Sequence, residues 1–233
     1  MITMSTMSRR IGAAAATLLT AAALLAAPTV AAEPPPVAKP GMSIHTRDGS
    51  RCTLGFTLTN REGSALAVTA GHCGHDRVGR VVYDNRARPL GRYVAARSDD
   101  MPHRQYGYAL IALHPGVRPV AVLTPATAIL GAADAHVGEP ACIFGKTTGH
   151  TCSTIAAASA RYGFIADSIT DRGDSGGPVI RPTDSAIVGI IIGHHDGANA
   201  TFYQPVSDVI AQLRADGVGG TNPAPLVHTG RRT

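Results

Sequence analysis

Of the 21 basic residues in the chain only Lys39 and Lys146 are lysines, and no block of like charges occurs anywhere. The remaining 19 are arginines set among abundant alanine and glycine, a usage that reflects GC-rich codons and argues against a nucleic-acid partner. Cysteine is scarce as well. The four present, Cys52, Cys73, Cys142 and Cys152, include no C-x-x-C pair, which discounts zinc, and neither a metal nor a cofactor is expected. The 26 glycines and 16 prolines lack the strict period of collagen, and a 44% hydrophobic content excludes intrinsic disorder. No solenoid-length repeat is found. No helical stripe precedes Val206, which counts against an α/β fold.

What the sequence does contain begins with an export signal. Arg9 and Arg10 precede a run of small apolar residues over 11–27, too short and too rich in alanine to span a membrane. With Val30-Ala31-Ala32 behind it, this reads as a signal peptide over 1–32 cleaved after Ala32. Ser8-Arg9-Arg10 resembles a twin-arginine signal, but the residues after it fit that pattern poorly, so the export route stays open. After cleavage 19 basic residues face 16 acidic ones, a net charge of +3. The longest remaining apolar run, 186–193, contains Gly189 and Gly193 and reads as a buried strand. A secreted, extracellular monomer is expected, with no membrane partner in the mature form. Four cysteines in an exported chain imply two disulfides. Three pairings are possible, and the local one, Cys52–Cys73 with Cys142–Cys152, is expected.

Residues 33–42 form a Pro-rich leader that is expected not to pack as strand or helix. From 43 to 216 the chain reads as one β-rich domain. Strands are expected over 52–58, 65–70, 80–83, 92–96, 108–113, 141–144, 153–158, 178–180, 187–192 and 201–203, a spacing that suits an antiparallel sandwich or barrel. Pro205 opens a helix over 206–213 with Val206, Ile210 and Leu213 on one face. A flexible tail is expected over 217–233.

Two segments carry chemistry. Gly173-Asp174-Ser175-Gly176-Gly177-Pro178 places a serine between glycines on a tight turn, where the N–H groups of Gly173 and Ser175 can converge on one point. Thr69-Ala70-Gly71-His72-Cys73 places a histidine at the end of an apolar strand, beside a cysteine. Together they resemble the chymotrypsin-like serine proteases, whose active site lies between two six-stranded β-barrels. The likeness is to the bacterial streptogrisin and α-lytic protease branch. It extends through Gly49-Ser50-Arg51-Cys52-Thr53-Leu54-Gly55-Phe56, the Cys142–Ile155 segment with its Gly-Lys-Thr-Thr-Gly centre, and Phe202-Tyr203-Gln204-Pro205-Val206. These five collinear matches cover nearly all of the mature chain.

The resemblance implies an all-β, chymotrypsin-like double β-barrel of two six-stranded antiparallel barrels with a C-terminal helix. It also implies the local disulfide pairing. Ser175 would be the nucleophile, His72 the general base, and the backbone amides of Gly173 and Ser175 the oxyanion hole. Protein or peptide substrates would bind in the inter-barrel cleft.

One part of the pattern is missing. The family's third catalytic residue, an aspartate, should stand before Ala109-Leu110-Ile111, where this chain has Gly107. Ile192 stands where the family usually has a serine that supports that aspartate. Losing the carboxylate together with its hydrogen-bond donor would leave a tolerable apolar site and nothing to fix the tautomer of His72. Asp99 and Asp100 lie eight and seven residues before Gly107, and Asp100 is taken as the possible substitute acid. If both belong to a solvated turn, a Ser–His dyad remains. The alternative reading is a catalytically inactive homologue acting as a secreted binding or scaffold module.

The residues around the serine carry three lesser expectations. Asp174 needs an internal partner, for which an arginine is a candidate. Ile169 replaces the aspartate of trypsin-type pockets and argues against Lys or Arg selectivity. His194-His195-Asp196 is discounted as a metal patch, because adjacent strand residues point to opposite faces, and His194 or His195 is expected to line the cleft.

Overall fold

The computed structural model describes Met1 and residues 33–100, 102–195 and 199–230. Apart from Met1, the expected signal peptide lies outside the described residues. The chain divides into a unit Met1–Glu33 and a unit Pro34–Thr233, and the second carries the fold described below.

Its first half holds β1 (Ser43–His45), β2 (Arg51–Thr53), β3 (Phe56–Thr59), β4 (Leu66–Ala70), the single turn α1 (Gly71–Gly74), β5 (Val81–Asp84), β6 (Pro89–Ala96) and β7 (Tyr108–Leu113). These strands pair antiparallel in the order β3-β4-β7-β6-β5-β1-β2. β2 and β3 are two halves of one bent strand. At the bend the Leu54 N–H donates to Met42 O (2.9 Å) and the Gly55 N–H to Val68 O (2.8 Å), so the chain passes from one end of the sheet to the other and the sheet curls on itself. Leu54, Phe56, Leu58, Val68, Leu90 and Leu110 fill the interior.

The second half holds β8 (Pro140–Gly145), β9 (Gly149–Ala158), β10 (Gly163–Ile165), β11 (Pro178–Arg181), β12 (Ala186–His195) and β13 (Ala200–Pro205). Their order is β12-β11-β8-β9-β10-β13, and β13 pairs back onto β12, which closes a six-stranded barrel. Ile143, Ile155, Ile165, Val179, Val188 and Ile191 form its core. β12 is a near-continuous apolar run because both of its faces are covered. Val188 and Ile191 point into this core, whereas Ile187, Ile190 and Ile192 join the cluster shared with the first half. α2 (Val206–Ala215) follows β13 and buries Val206, Val209, Ile210 and Leu213, the i, i+3, i+4, i+7 stripe of a helix docked on one side. The architecture is the chymotrypsin-like double barrel with a C-terminal helix.

Both ends depart from expectation. The leader packs after all: Val37–Ala38 pair in parallel with Arg118–Pro119, and Ala38 is fully buried. Proline lacks an N–H but keeps its carbonyl, and the carbonyls of Pro36 and Ala38 accept from the N–H groups of Arg118 and Val120, each at 3.0 Å. The segment expected to be a flexible tail also pairs. Ala224–Pro225 add a short strand to β3, and the Leu226 N–H donates to Thr57 O (2.8 Å). Both disulfides, Cys52–Cys73 and Cys142–Cys152, are formed. Such bonds are consistent with an extracellular protein. Among the described residues no helix is long and apolar enough to cross a membrane.

Candidate active site

Ser175 lies on the turn that leads into β11. Asp174 before it is fully buried. Its carboxylate accepts from the Thr147 N–H (2.7 Å), the Thr148 N–H (3.2 Å), the Thr148 hydroxyl (2.7 Å) and the Asp171 N–H (2.9 Å). A carboxylate survives burial only when its lone pairs are filled, and here uncharged donors, mostly from the β8–β9 hairpin, fill them. The arginine considered as its partner is absent from this set of contacts among the described residues.

Gly173 adopts φ +104°, a conformation that favours glycine, and its carbonyl accepts from Thr53 Oγ1 (2.8 Å). The Thr53 N–H donates to Ser175 O (2.9 Å), so β2 of the first half grips the serine turn at two points. Among the described residues neither the Gly173 N–H nor the Ser175 N–H has an acceptor. Two unpaired amides flanking a serine are what a developing oxyanion requires. Ser175 Oγ itself donates to the Ile192 carbonyl at 3.3 Å. Among the described residues no hydrogen bond joins it to His72. Ser175 O is 3.9 Å from Cys73 Sγ, which sets the serine turn against the residue that follows the histidine.

His72 enters from the end of β4, on α1, and the Cys52–Cys73 disulfide ties its neighbour to β2. Its Nδ1 is hydrogen-bonded to Asp99 Oδ2. The same carboxylate accepts from the His72 N–H (3.3 Å) and from the Gly107 N–H (2.7 Å). The Asp99 side chain is only 5% exposed, against 43% for His72.

No protein-family model matches the sequence. The chain is 32% identical over 165 residues to the uncharacterized protein Rv1815 of Mycobacterium tuberculosis, a match that covers 65% of this chain and 71% of that one. Among solved structures it superposes on an α-lytic protease homologue, N4, with a TM-score of 0.60 at 25% identity, covering 78% and 97% of the two chains. It also superposes on the chymotrypsin of Cellulomonas bogoriensis, with a TM-score of 0.63 at 24% identity, covering 82% and 100%. The chain belongs to one family with Rv1815, and its fold is that of the bacterial chymotrypsin-like serine proteases.

The carboxylate on His72 comes from Asp99, and the expectation of Asp100 is corrected: Asp100 Oδ2 pairs with His103 Nδ1 at 2.8 Å on the exposed side of the loop. There is no open space at Gly107 either. A Cβ on Gly107 would run into the Arg97 carbonyl and lie 2.7 Å from the Ser98 carbonyl oxygen, so the loop that delivers Asp99 already fills the space. The Gly107 N–H donates to the Asp99 carboxylate.

That loop is anchored at its base. The Arg97 N–H donates to Tyr108 O (2.8 Å), and Asp100 and Gln105 exchange backbone hydrogen bonds of 2.6 and 3.0 Å. The Arg97 guanidinium is paired with Asp216 at the end of α2, which also accepts from the Tyr108 hydroxyl (2.9 Å). The hydrogen bond from Arg97, aided by that of Tyr108, holds the Asp216 carboxyl below the usual carboxylate range. α2 thereby steadies the loop that presents Asp99 to His72.

Two cavities lie at these residues, one beside His72 and one beside Ser175. One of about 620 Å³ is lined by His72, Asp99, His75, Arg77 and Ile192, among others. The other, of about 250 Å³, is lined by Ser175, Thr170, Asp171, Arg172 and His194, among others. His194 therefore lines a cavity at the serine, as expected for one of the two histidines; nothing is described of the His195 side chain, and Asp196 lies outside the described residues. Ile169 is 60% exposed and is not among the residues that line this cavity.

Proposed function

We propose that the protein is a secreted serine endopeptidase that cleaves peptide bonds with Ser175 as nucleophile, His72 as general base and Asp99 as the residue that orients the base. The observation that carries this reading is the Asp99 carboxylate on His72 Nδ1. An acceptor there selects the tautomer with Nδ1–H and leaves Nε2 free to take the serine proton. Asp99 also stabilises the imidazolium that forms.

Reaction requires Ser175 Oγ to leave the Ile192 carbonyl and turn toward Nε2. It then attacks the scissile carbonyl while its proton passes to His72. The Gly173 and Ser175 N–H groups receive the oxyanion, each worth ~2.7–4 kcal/mol of transition-state stabilisation by analogy with other enzymes. His72 returns the proton to the leaving amine, and water completes the cycle through the acyl-enzyme. Export by a signal peptide cleaved near Ala32 places this activity outside the cell, where the chain acts as a monomer on protein or peptide substrates in the inter-barrel cleft.

The bond from Ser175 Oγ to Ile192 favours a second reading, an inactive homologue that only binds peptides. Labelling with a fluorophosphonate probe separates the two. Covalent labelling that is lost in both Ser175→Ala and His72→Ala supports the peptidase; folded wild-type protein that stays unlabelled supports the binding module.

A further inference from the structure

On the endopeptidase reading, Asp99 must stay on His72 while charge develops on the imidazole. The peptide between Tyr106 and Gly107 is where it is held. Among the described residues the Gly107 N–H is the one donor to Asp99 Oδ1, at 2.7 Å. The Gly107 carbonyl accepts from the Gly71 N–H at 3.1 Å, one residue before His72. Gly107 is therefore joined both to the acid and to the turn that carries the base.

A peptide unit is planar and trans, so the Gly107 N–H and the Tyr106 carbonyl point in opposite directions and can only turn together. Whatever fixes the carbonyl fixes the N–H, and two side-chain amides fix the carbonyl. Gln204 Nε2, from β13, donates to Tyr106 O at 3.0 Å, and Gln212 Nε2, from α2, donates to the same oxygen at 2.7 Å. Both nitrogens also donate to Asp208 Oδ2, at 2.7 and 2.8 Å respectively. A carbonyl and an ionised carboxylate only accept, so each amide must present its nitrogen here, and its two hydrogens are taken by these two oxygens. Gln204 is fully buried and Tyr106 is 2% exposed, which keeps bulk water from competing.

We infer that Gln204 and Gln212 are positioning residues, which aim the Gly107 N–H at Asp99 through the Tyr106–Gly107 peptide and so hold the acid on the base. One donor would satisfy the Tyr106 carbonyl; two occupy both of its lone pairs and fix the plane of the peptide. They also polarise the carbonyl, which strengthens the N–H at the opposite end as a donor. This support reaches Asp99 from the far end of its loop, separately from the Arg97–Asp216 pair at the base.

The test uses Gln212→Met and Gln204→Met, which keep the side-chain length and remove the donors, with thermal melts to establish folding. The His72 Nδ1 proton held by Asp99 gives a far-downfield proton NMR signal, which is expected to move upfield or exchange away in each variant. In labelling and peptide hydrolysis the expected loss is roughly tenfold in kcat, with KM within about twofold of wild type. In an Asp99→Asn background the same substitutions are expected to cost no more than about twofold further, because the group they position is already gone. An unchanged NMR signal in Gln212→Met, an effect confined to KM, or the full loss repeated in the Asp99→Asn background overturns the inference. Gln212 is only half-buried, so its variant decides the matter should Gln204→Met not fold. A wild type that neither labels nor hydrolyses refutes the endopeptidase reading alone, and the NMR signal then decides this inference: a shifted signal supports it and an unchanged one overturns it.

Discussion

Placing an aspartate at position 107, where chymotrypsin-like proteases usually carry one, should damage this protein. In Gly107→Asp the new Cβ would meet the Arg97 carbonyl and sit 2.7 Å from the Ser98 oxygen, distances that require the loop backbone itself to move. Moving it stretches the 2.8 Å hydrogen bond from the Arg97 N–H to Tyr108 O. Overpacking of this kind costs about 1–3 kcal/mol, and a lost backbone hydrogen bond adds about 1. The sum, roughly 2–4 kcal/mol, lowers the melting temperature of a domain this size by roughly 5–15 °C. The shift also draws Asp99 away from His72, so fluorophosphonate labelling slows with it. The double variant Asp99→Gly/Gly107→Asp discriminates further. The clash is with main chain and survives removal of the Asp99 side chain, so moving the acid back should rescue neither stability nor labelling. A Gly107→Asp protein that melts within about 1 °C of wild type, or a double variant that labels like wild type, would refute the reasoning.

The same contacts predict two further variants. Asp174→Ala strands four donors around an empty buried site and should cost about 3–5 kcal/mol and abolish labelling; a loss under about 1 kcal/mol would refute the role of its contacts. Asp216→Asn loosens Arg97 and the Asp99 loop, lowering kcat roughly tenfold to a hundredfold while KM changes little; an effect confined to KM would show that Asp216 does not position the loop. The Asp216 carboxyl is held below its ordinary value, so its stabilising effect is complete above about pH 4 and is lost as pH falls further and the group protonates. Thermal melts should show that acid-side loss in the wild type and a smaller one in Asp216→Asn, and identical acid limbs would contradict the linkage.

Much of this protein is legible in its sequence where local chemistry decides the outcome. The serine turn, the histidine after its apolar strand, the disulfide pairing and the helix opened by Pro205 are set by residues close in sequence. Asp99 was harder to single out because it and Asp100 are chemically the same residue beside the same Met-Pro. What separates them is a chain reversal, closed by Arg97 on Tyr108 and by Asp100 on Gln105, that turns one carboxylate inward and leaves the other on His103. Gly107 holds the clue in hindsight: an absent side chain marks a place where other backbone passes. The leader departs from expectation because proline, though it lacks an N–H, still offers a carbonyl, and the tail because a chain terminus can be tied down by strand pairing. Pairing through carbonyls alone needs no N–H from the proline. Asp174 misled in another way, since a buried acid suggests a cation where several neutral donors serve.

The most direct test of the account compares Asp99→Asn with Asp100→Asn in fluorophosphonate labelling and peptide hydrolysis, with thermal melts alongside. Exchanging the equivalent aspartate of trypsin for asparagine lowers kcat by ~10⁴, and a loss on that order is expected for Asp99→Asn with little change in melting. Asp100→Asn, whose partner is the exposed His103, should stay within about twofold of wild type. Equal losses in the two variants, or the larger loss in Asp100→Asn, would contradict the assignment of Asp99 to the site.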